Sequence, residues 1–146
     1  MLLLTAAPCA AAMDAWHFRS LTNEKPISLS DFKNAPLLLI FWRSDCAPCL
    51  HEIKNLQQIA ASYPQLQIAI ISLQNTNIVQ KYLPNPIPKN AHILMALDDE
   101  KPLLASFNNN KAALPFSAFM HAEGSICAIH EGILGTDTID QWIKSC

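Results

Sequence analysis

Hydrophobic positions along the chain change period several times, and each change marks a predicted element. Leu37–Trp42 (LLLIFW) is an unbroken apolar run of strand length, the pattern of a strand covered on both faces. From Cys49 onward, Leu50, Ile53, Leu56, Ile59, Ala60 and Tyr63 recur at helical spacing, and Pro64 ends the segment. Leu66–Leu73 (LQIAIISL) predicts a second buried strand. Strand, helix, strand makes a βαβ unit, so the sheet is parallel at its centre and the crossover right-handed.

The flanks are less regular. Trp16–Leu21 and Ile27–Leu29 surround the turn-forming Thr22-Asn23-Glu24-Lys25-Pro26 and predict a small β-hairpin. Ser30 before Asp31-Phe32-Lys33 predicts one capped helical turn, closed by Asn34-Ala35-Pro36. Asn77–Leu83 predicts a short helix broken by Pro84, Pro86 and Pro88, and His92–Leu97 a further strand. Asp98 or Asp99 can cap a helix carrying Leu103, Leu104 and Phe107, with Pro102 in the first turn, where amide donors are unpaired anyway. Pro115–His121 and Ser125–His130 flank Ala122-Glu123-Gly124 as an antiparallel hairpin. A last helix, Thr136–Lys144, carries Ile139, Trp142 and Ile143.

Composition narrows the function. The 146 residues are 51% hydrophobic, enough for one domain with its own core. A net charge of −2 and the lack of a basic run interleaved with aromatics argue against nucleic-acid binding. Residues 1–12 (MLLLTAAPCAAA) carry no charge and end in small residues, like the later part of a secretory signal peptide without its basic start. The expected organisation is a leader over 1–12 and one domain over 13–146, in an exported, periplasmic setting. Lipid attachment at Cys9, which would tether the chain to a membrane, is disfavoured by Pro8 directly before it, and a buried or frayed N-terminal segment stays open.

The chemistry concentrates in Cys46-Ala47-Pro48-Cys49, placed between a buried strand and an amphipathic helix. At a helix start, cysteines three apart lie on one face within disulfide reach. The first meets unpaired amides and the positive end of the helix dipole, which stabilise a thiolate. Cys46 is therefore the expected nucleophile and Cys49 the resolving thiol. Pro48 suits the first helical turn. Zinc would want a second close pair or histidines, and Cys127 and Cys146 are not so spaced, so no metal is expected. A purely structural bridge between near neighbours would close too small a loop to stabilise much. No cofactor beyond the redox-active disulfide is needed.

The segment Phe41-Trp42-Arg43-Ser44-Asp45-Cys46-Ala47-Pro48-Cys49 resembles the FW-x-x-x-C-x-P-C stretch of thioredoxins, and the wider layout is similar to their exported TlpA/ResA-type relatives. The resemblance implies an α/β thioredoxin-like fold: a central mixed β-sheet flanked by helices, with an N-terminal β-hairpin (Trp16–Leu29) and an inserted strand-helix element (Asn77–Leu97). It also implies a cis-proline at Leu114-Pro115, with Leu114 offering its backbone to a partner peptide beside Trp42, Ala47 and Pro48. By the same resemblance Glu52 is an acid near the resolving thiol, able to accept and return its proton. A surface glutamate on an amphipathic helix is the open alternative. Two positions depart from the thioredoxin pattern: Asp45 replaces the usual Trp, and Ile40 replaces a buried aspartate. Asp45 should raise the pKa of Cys46 unless Arg43 offsets it.

His51 is the histidine nearest the motif and points away from the Cys49 face. His17, His92, His121 and His130 show no ligand spacing. Separately, the last helix must run back along the last strand, which returns Cys146 to the neighbourhood of Cys127 and leaves two readings open, a second, structural disulfide or two free thiols on opposite faces of the sheet. The expected function is a thiol-disulfide oxidoreductase that reduces or exchanges disulfides of exported proteins. Its partners are protein thiols and disulfides and a membrane or periplasmic dithiol electron donor. Alternatives are a disulfide-forming oxidase and a copper-binding chaperone using both cysteines and a distant histidine such as His121. Such carriers resemble C-x-x-x-C-P, a spacing absent here.

Overall fold

A computed structural model describes residues 14–32, 34–74 and 76–146. The predicted leader over 1–12, with Cys9, lies outside the described residues, as does Lys33 of the predicted helical turn. The strands are β1 (Phe18–Ser20), β2 (Pro26–Ile27), β3 (Leu37–Trp42), β4 (Gln67–Ser72), β5 (Ala91–Ala96), β6 (Phe116–Met120) and β7 (Ile126–Glu131). The helices are α1 (Ala47–Lys54), α2 (Leu56–Ser62), α3 (Thr76–Val79), α4 (Glu100–Ser106) and α5 (Thr136–Ser145), with 3-10 turns at Leu29–Phe32 and Gln80–Tyr82.

One seven-stranded sheet runs in the order β2-β1-β5-β4-β3-β6-β7. Its centre, β3, β4 and β5, is parallel, while β1 on β5 and β6 on β3 are antiparallel. The sheet is thus mixed, with helices on both faces. Side chains alternate along β3: Leu38, Ile40 and Trp42 pack with Ile53, Leu56 and Ile59 of the α1–α2 pair and with Ile139 and Trp142 of α5. Leu37, Leu39 and Phe41 pack on the other face with Leu103 and Leu104 of α4 and with Phe107. Every β3 side chain is buried, which is why that segment reads as a continuous apolar run. Each such Leu, Ile or Phe contributes about 1.5–3 kcal/mol by leaving water.

The structure departs from the sequence pattern in a few places. The single helix predicted through Tyr63 is divided at Asn55 (φ −88°, ψ 0°). The Asn55 amide bonds to the Glu52 carbonyl at 3.1 Å, three residues back, which tightens the turn where a weak helix former interrupts two good helical stretches. Asp99 occupies the N-cap of α4 but makes no side-chain cap. Asp98 instead accepts the His17 amide at 2.6 Å and pairs with the His17 ring, tying the entry to β1 onto the end of β5. The proline-rich loop holds a second cis bond, Asn85–Pro86, that the sequence did not announce. At the C-terminus α5 runs back to the start of β7, and Cys127 and Cys146 are joined in a disulfide with Cα atoms 6.1 Å apart.

Candidate active site

Strand register decides where the site lies. Phe41 near the end of β3 faces Phe116 at the start of β6, which faces Glu131 at the end of β7. The loops leaving β3, entering β6 and leaving β7 therefore meet at one pole. This is the carboxyl end of the parallel strands, where open α/β sheets build their sites. The Gly132 amide donates to the Pro115 carbonyl at 2.8 Å, joining two of those loops. Gly132 has φ +94°, a conformation in which any other residue would be strained.

Cys46 is the N-cap residue of α1, in extended conformation, and its Sγ accepts the Cys49 amide at 3.3 Å. Ala47 and Pro48 form the exposed first turn, where proline forfeits no helical hydrogen bond. Cys46 and Cys49 are joined in a disulfide, with Cα atoms 5.2 Å apart. The pair is asymmetric. Cys46 is half-buried and faces the helix terminus, whereas Cys49 is 0% exposed and belongs to the core beneath it.

One turn beyond Cys49, on the same face of α1, Glu52 is only 2% exposed. The surface alternative for this residue is thereby corrected: the β7–α5 turn folds over it. The Leu134 amide donates to Glu52 Oε1 at 2.8 Å, while Oε2 has no hydrogen-bond partner among the described residues. Burial pushes the carboxyl up to about 7, against a smaller downward pull from the Leu134 hydrogen bond. A group poised there can exchange a proton near neutral pH.

Trp42 ends β3, is fully buried and packs in the same cluster as Cys49. Leu114 is half-buried and, like Cys46, packs against the cluster that contains Cys49. The Leu114–Pro115 peptide is cis, and Pro115 is buried. Ile40, where thioredoxins carry an aspartate, is buried among apolar neighbours, so Glu52 is the buried carboxylate of this site. Asp45 is not left alone beside the nucleophile: Arg43 Nε lies 2.9 Å from its Oδ1 and Arg43 Nη2 3.2 Å from its Oδ2. This pairing holds the Asp45 carboxyl below the usual carboxylate range.

Sequence reasoning missed three contributors. Leu134 belongs to no predicted element, although an apolar residue between Gly132 and Gly135 is a signal that a loop packs inward. Gln74, whose side chain accepts the Ser44 amide, and Glu100, whose Oε2 lies 3.0 Å from Arg43 Nη1, are far away in sequence, and no local pattern points to them. His51 is exposed, His92 bonds Gln67 and stacks near Phe32, His130 contacts the Ile133 carbonyl, and His121 follows β6 at the pole opposite the dithiol. Among the described residues no group of three His, Cys, Asp or Glu is placed to hold a metal ion.

Comparison with known proteins gives a consistent picture. The Redoxin family matches the chain over residues 8–141. Solved structures similar to it include DsbF of Mycobacterium tuberculosis in mixed oxidized and reduced forms, at 20% identity and a TM-score of 0.70, covering 92% of this chain and 96% of that one. A putative thiol:disulfide interchange protein DsbE from Chlorobium tepidum matches at 20% identity and TM-score 0.69, covering 88% and 90% of the respective chains. An exposed lipoprotein thioredoxin from Streptococcus pneumoniae matches at 23% identity and TM-score 0.69, covering 89% and 98%. These likenesses show the thioredoxin-like fold. No curated protein sequence matches the chain.

Proposed function

The chain belongs to the Redoxin family, and from that premise we propose that it is an exported thiol-disulfide oxidoreductase that reduces or exchanges the disulfides of other exported proteins. One observation carries the reading: the helix-capping dithiol is split into an accessible sulfur, Cys46, and a buried one, Cys49, with a buried carboxylate one turn further on. That is the asymmetry a two-step exchange needs.

In the reduced enzyme the Cys46 thiolate attacks one sulfur of the partner disulfide. A mixed disulfide forms, and the partner's other sulfur leaves as a thiolate that takes up a proton. Cys49 then gives its proton to ionised Glu52 and attacks Cys46 Sγ. The second partner sulfur leaves as a thiolate and is protonated from Glu52, so two electrons have passed to the partner and the enzyme is left as the disulfide. An external dithiol donor, membrane-bound or periplasmic, restores the reduced pair. Ala47, Pro48 and Leu114 frame the surface on which the partner peptide is held, with Trp42 and Pro115 buried beneath it.

Export is supported by the Cys127–Cys146 bond, since a structural disulfide persists in an oxidising compartment. The uncharged leader-like segment points the same way, and one structural neighbour is named an exposed lipoprotein. No helix among the described residues is long and apolar enough to cross a membrane.

Insulin reduction in the presence of a small dithiol tests the activity: chain precipitation faster than with the dithiol alone is expected with the wild type, and no acceleration with Cys46→Ser. Equilibration against glutathione sets the direction. A potential nearer thioredoxin's than a disulfide-forming oxidase's supports reduction, and a strongly oxidising one overturns it.

A further inference from the structure

A free carboxylate directly before the nucleophile would oppose the helix terminus and keep the thiol protonated. The loop from Arg43 to Cys46 is built to prevent this. Arg43 grips Asp45 with two arms, Nε to Oδ1 at 2.9 Å and Nη2 to Oδ2 at 3.2 Å, a fork that suits a planar carboxylate. Its remaining arm, Nη1, reaches Glu100 Oε2 at 3.0 Å. Glu100 opens α4, whose Leu103 and Leu104 are fully buried, so Arg43 is anchored to the body of the domain rather than moving with the loop. From the other side the Ser44 amide donates to Gln74, itself bonded through its own amide to Ser72 Oγ at 3.1 Å. The Arg43 and Glu100 side chains are only 29% and 30% exposed, which strengthens their pair relative to an ordinary surface one, whereas that of Asp45 is 63% exposed and its two bonds to Arg43 are screened by solvent.

We propose that Arg43 is a positioning residue for the thiol chemistry at Cys46: its fork on Asp45, anchored by Glu100, matches the charge beside the nucleophile and holds the loop that presents it. The assignment rests on Cys46 being the attacking thiol. With Asp45 matched, the amides and dipole of α1 govern the thiolate. The other charged or titratable groups on the elements meeting at this loop are buried Glu52 and exposed His51 and Lys54 on α1, Glu100 and exposed Lys101 on α4 with exposed Asp99 at its cap, exposed Lys111 on the segment leading to Pro115, and half-buried His130 and exposed Glu131 at the end of β7. Arg43 is the group that contacts the residue adjoining Cys46. Consistently, pairing with Asp45 holds the Arg43 guanidinium above its usual pKa.

The test is the thiolate midpoint of Cys46 in the reduced, full-length protein, followed by absorbance and by alkylation rate against pH. Arg43→Gln should raise the midpoint by about half a pH unit, the order of effect of one unmatched charge on the adjoining residue in a water-like dielectric. Adding Asp45→Asn to that variant should bring the midpoint back to the wild-type value or below. Glu100→Gln should lower it, because Arg43 then serves one carboxylate instead of two, and this variant decides the matter if Arg43→Gln does not fold. An unmoved midpoint in Arg43→Gln, a rise that Asp45→Asn does not reverse, or no fall in Glu100→Gln overturns the assignment. Insulin reduction by the wild type, run alongside, separates the two levels. Activity with unmoved midpoints removes the Arg43 role alone, whereas absence of activity removes the exchange reading on which it rests.

Discussion

Replacing Glu52 by Gln keeps the shape of the side chain and an oxygen to accept the Leu134 amide, while removing the titrating proton. Glu52 is 2% exposed, and burial raises its carboxyl from 4.5 to about 7. A carboxyl whose pKa is raised by folding favours the native state in its protonated form. That contribution is fully present below pH 4.5 and is lost as pH rises through about 7. A shift of about two and a half pH units, at about 1.4 kcal/mol each, amounts to about 3 kcal/mol. Urea unfolding of the oxidised protein from about pH 4 to about pH 8 measures it, provided the slope against denaturant stays constant. The amide hydrogens of Gln can add a cost of about 1–3 kcal/mol if they find no acceptor, but that cost is the same at every pH. The decisive quantity is therefore the difference between the two profiles. Wild type should lose about 3 kcal/mol relative to Glu52→Gln across this range, with the midpoint of the difference between the unfolded and folded pKa values. Parallel profiles would refute the argument that burial sets the proton affinity of Glu52.

Limiting iodoacetamide applied to the reduced protein should label Cys46 well before Cys49, because the first is half-buried at the helix cap and the second is enclosed; preferential labelling of Cys49 would reverse their roles. The double variant Cys127→Ser/Cys146→Ser should lose about 3 kcal/mol, the loop-closure value for the 19-residue separation, and a loss under about 1 kcal/mol would show that α5 is held by Ile139 and Trp142 alone. Asp45→Trp should lower the Cys46 midpoint, since it removes the adjacent charge and frees the Arg43 fork; an unchanged or higher midpoint in thiolate absorbance against pH would count against the electrostatic account.

Legibility in the sequence followed the range of the interactions involved. Leu37–Trp42 and Leu66–Leu73 announced the buried centre of the sheet because both faces of β3 and most of β4 are covered, which leaves no polar position in the first run and only Gln67 and Ser72, at the two ends of β4, in the second. The Cys46–Cys49 spacing was legible because helix geometry is local. The family resemblance drew attention to Leu114-Pro115 and Glu52, but whether Glu52 lay at the surface or inside depended on the turn carrying Leu134, 82 residues away. Long-range polar pairs left no trace in the pattern: Glu100 on Arg43 spans 57 residues and Gln74 on Ser44 spans 30. The break at Asn55 was hidden for a different reason. The apolar spacing continues through it, and only the weak helix preference of asparagine marks it.

The exchange mechanism turns on which sulfur attacks and which resolves. Reduced Cys49→Ala and Cys46→Ala variants, each incubated with a disulfide-bonded peptide and examined by intact mass and peptide mapping, answer it. The prediction is a stable mixed disulfide on Cys46 of Cys49→Ala, formed with release of one peptide thiol and persisting because the buried resolving thiol is gone, and little adduct on Cys46→Ala. No adduct on Cys49→Ala, or equal adducts on both variants, would contradict the exchange mechanism at this pair.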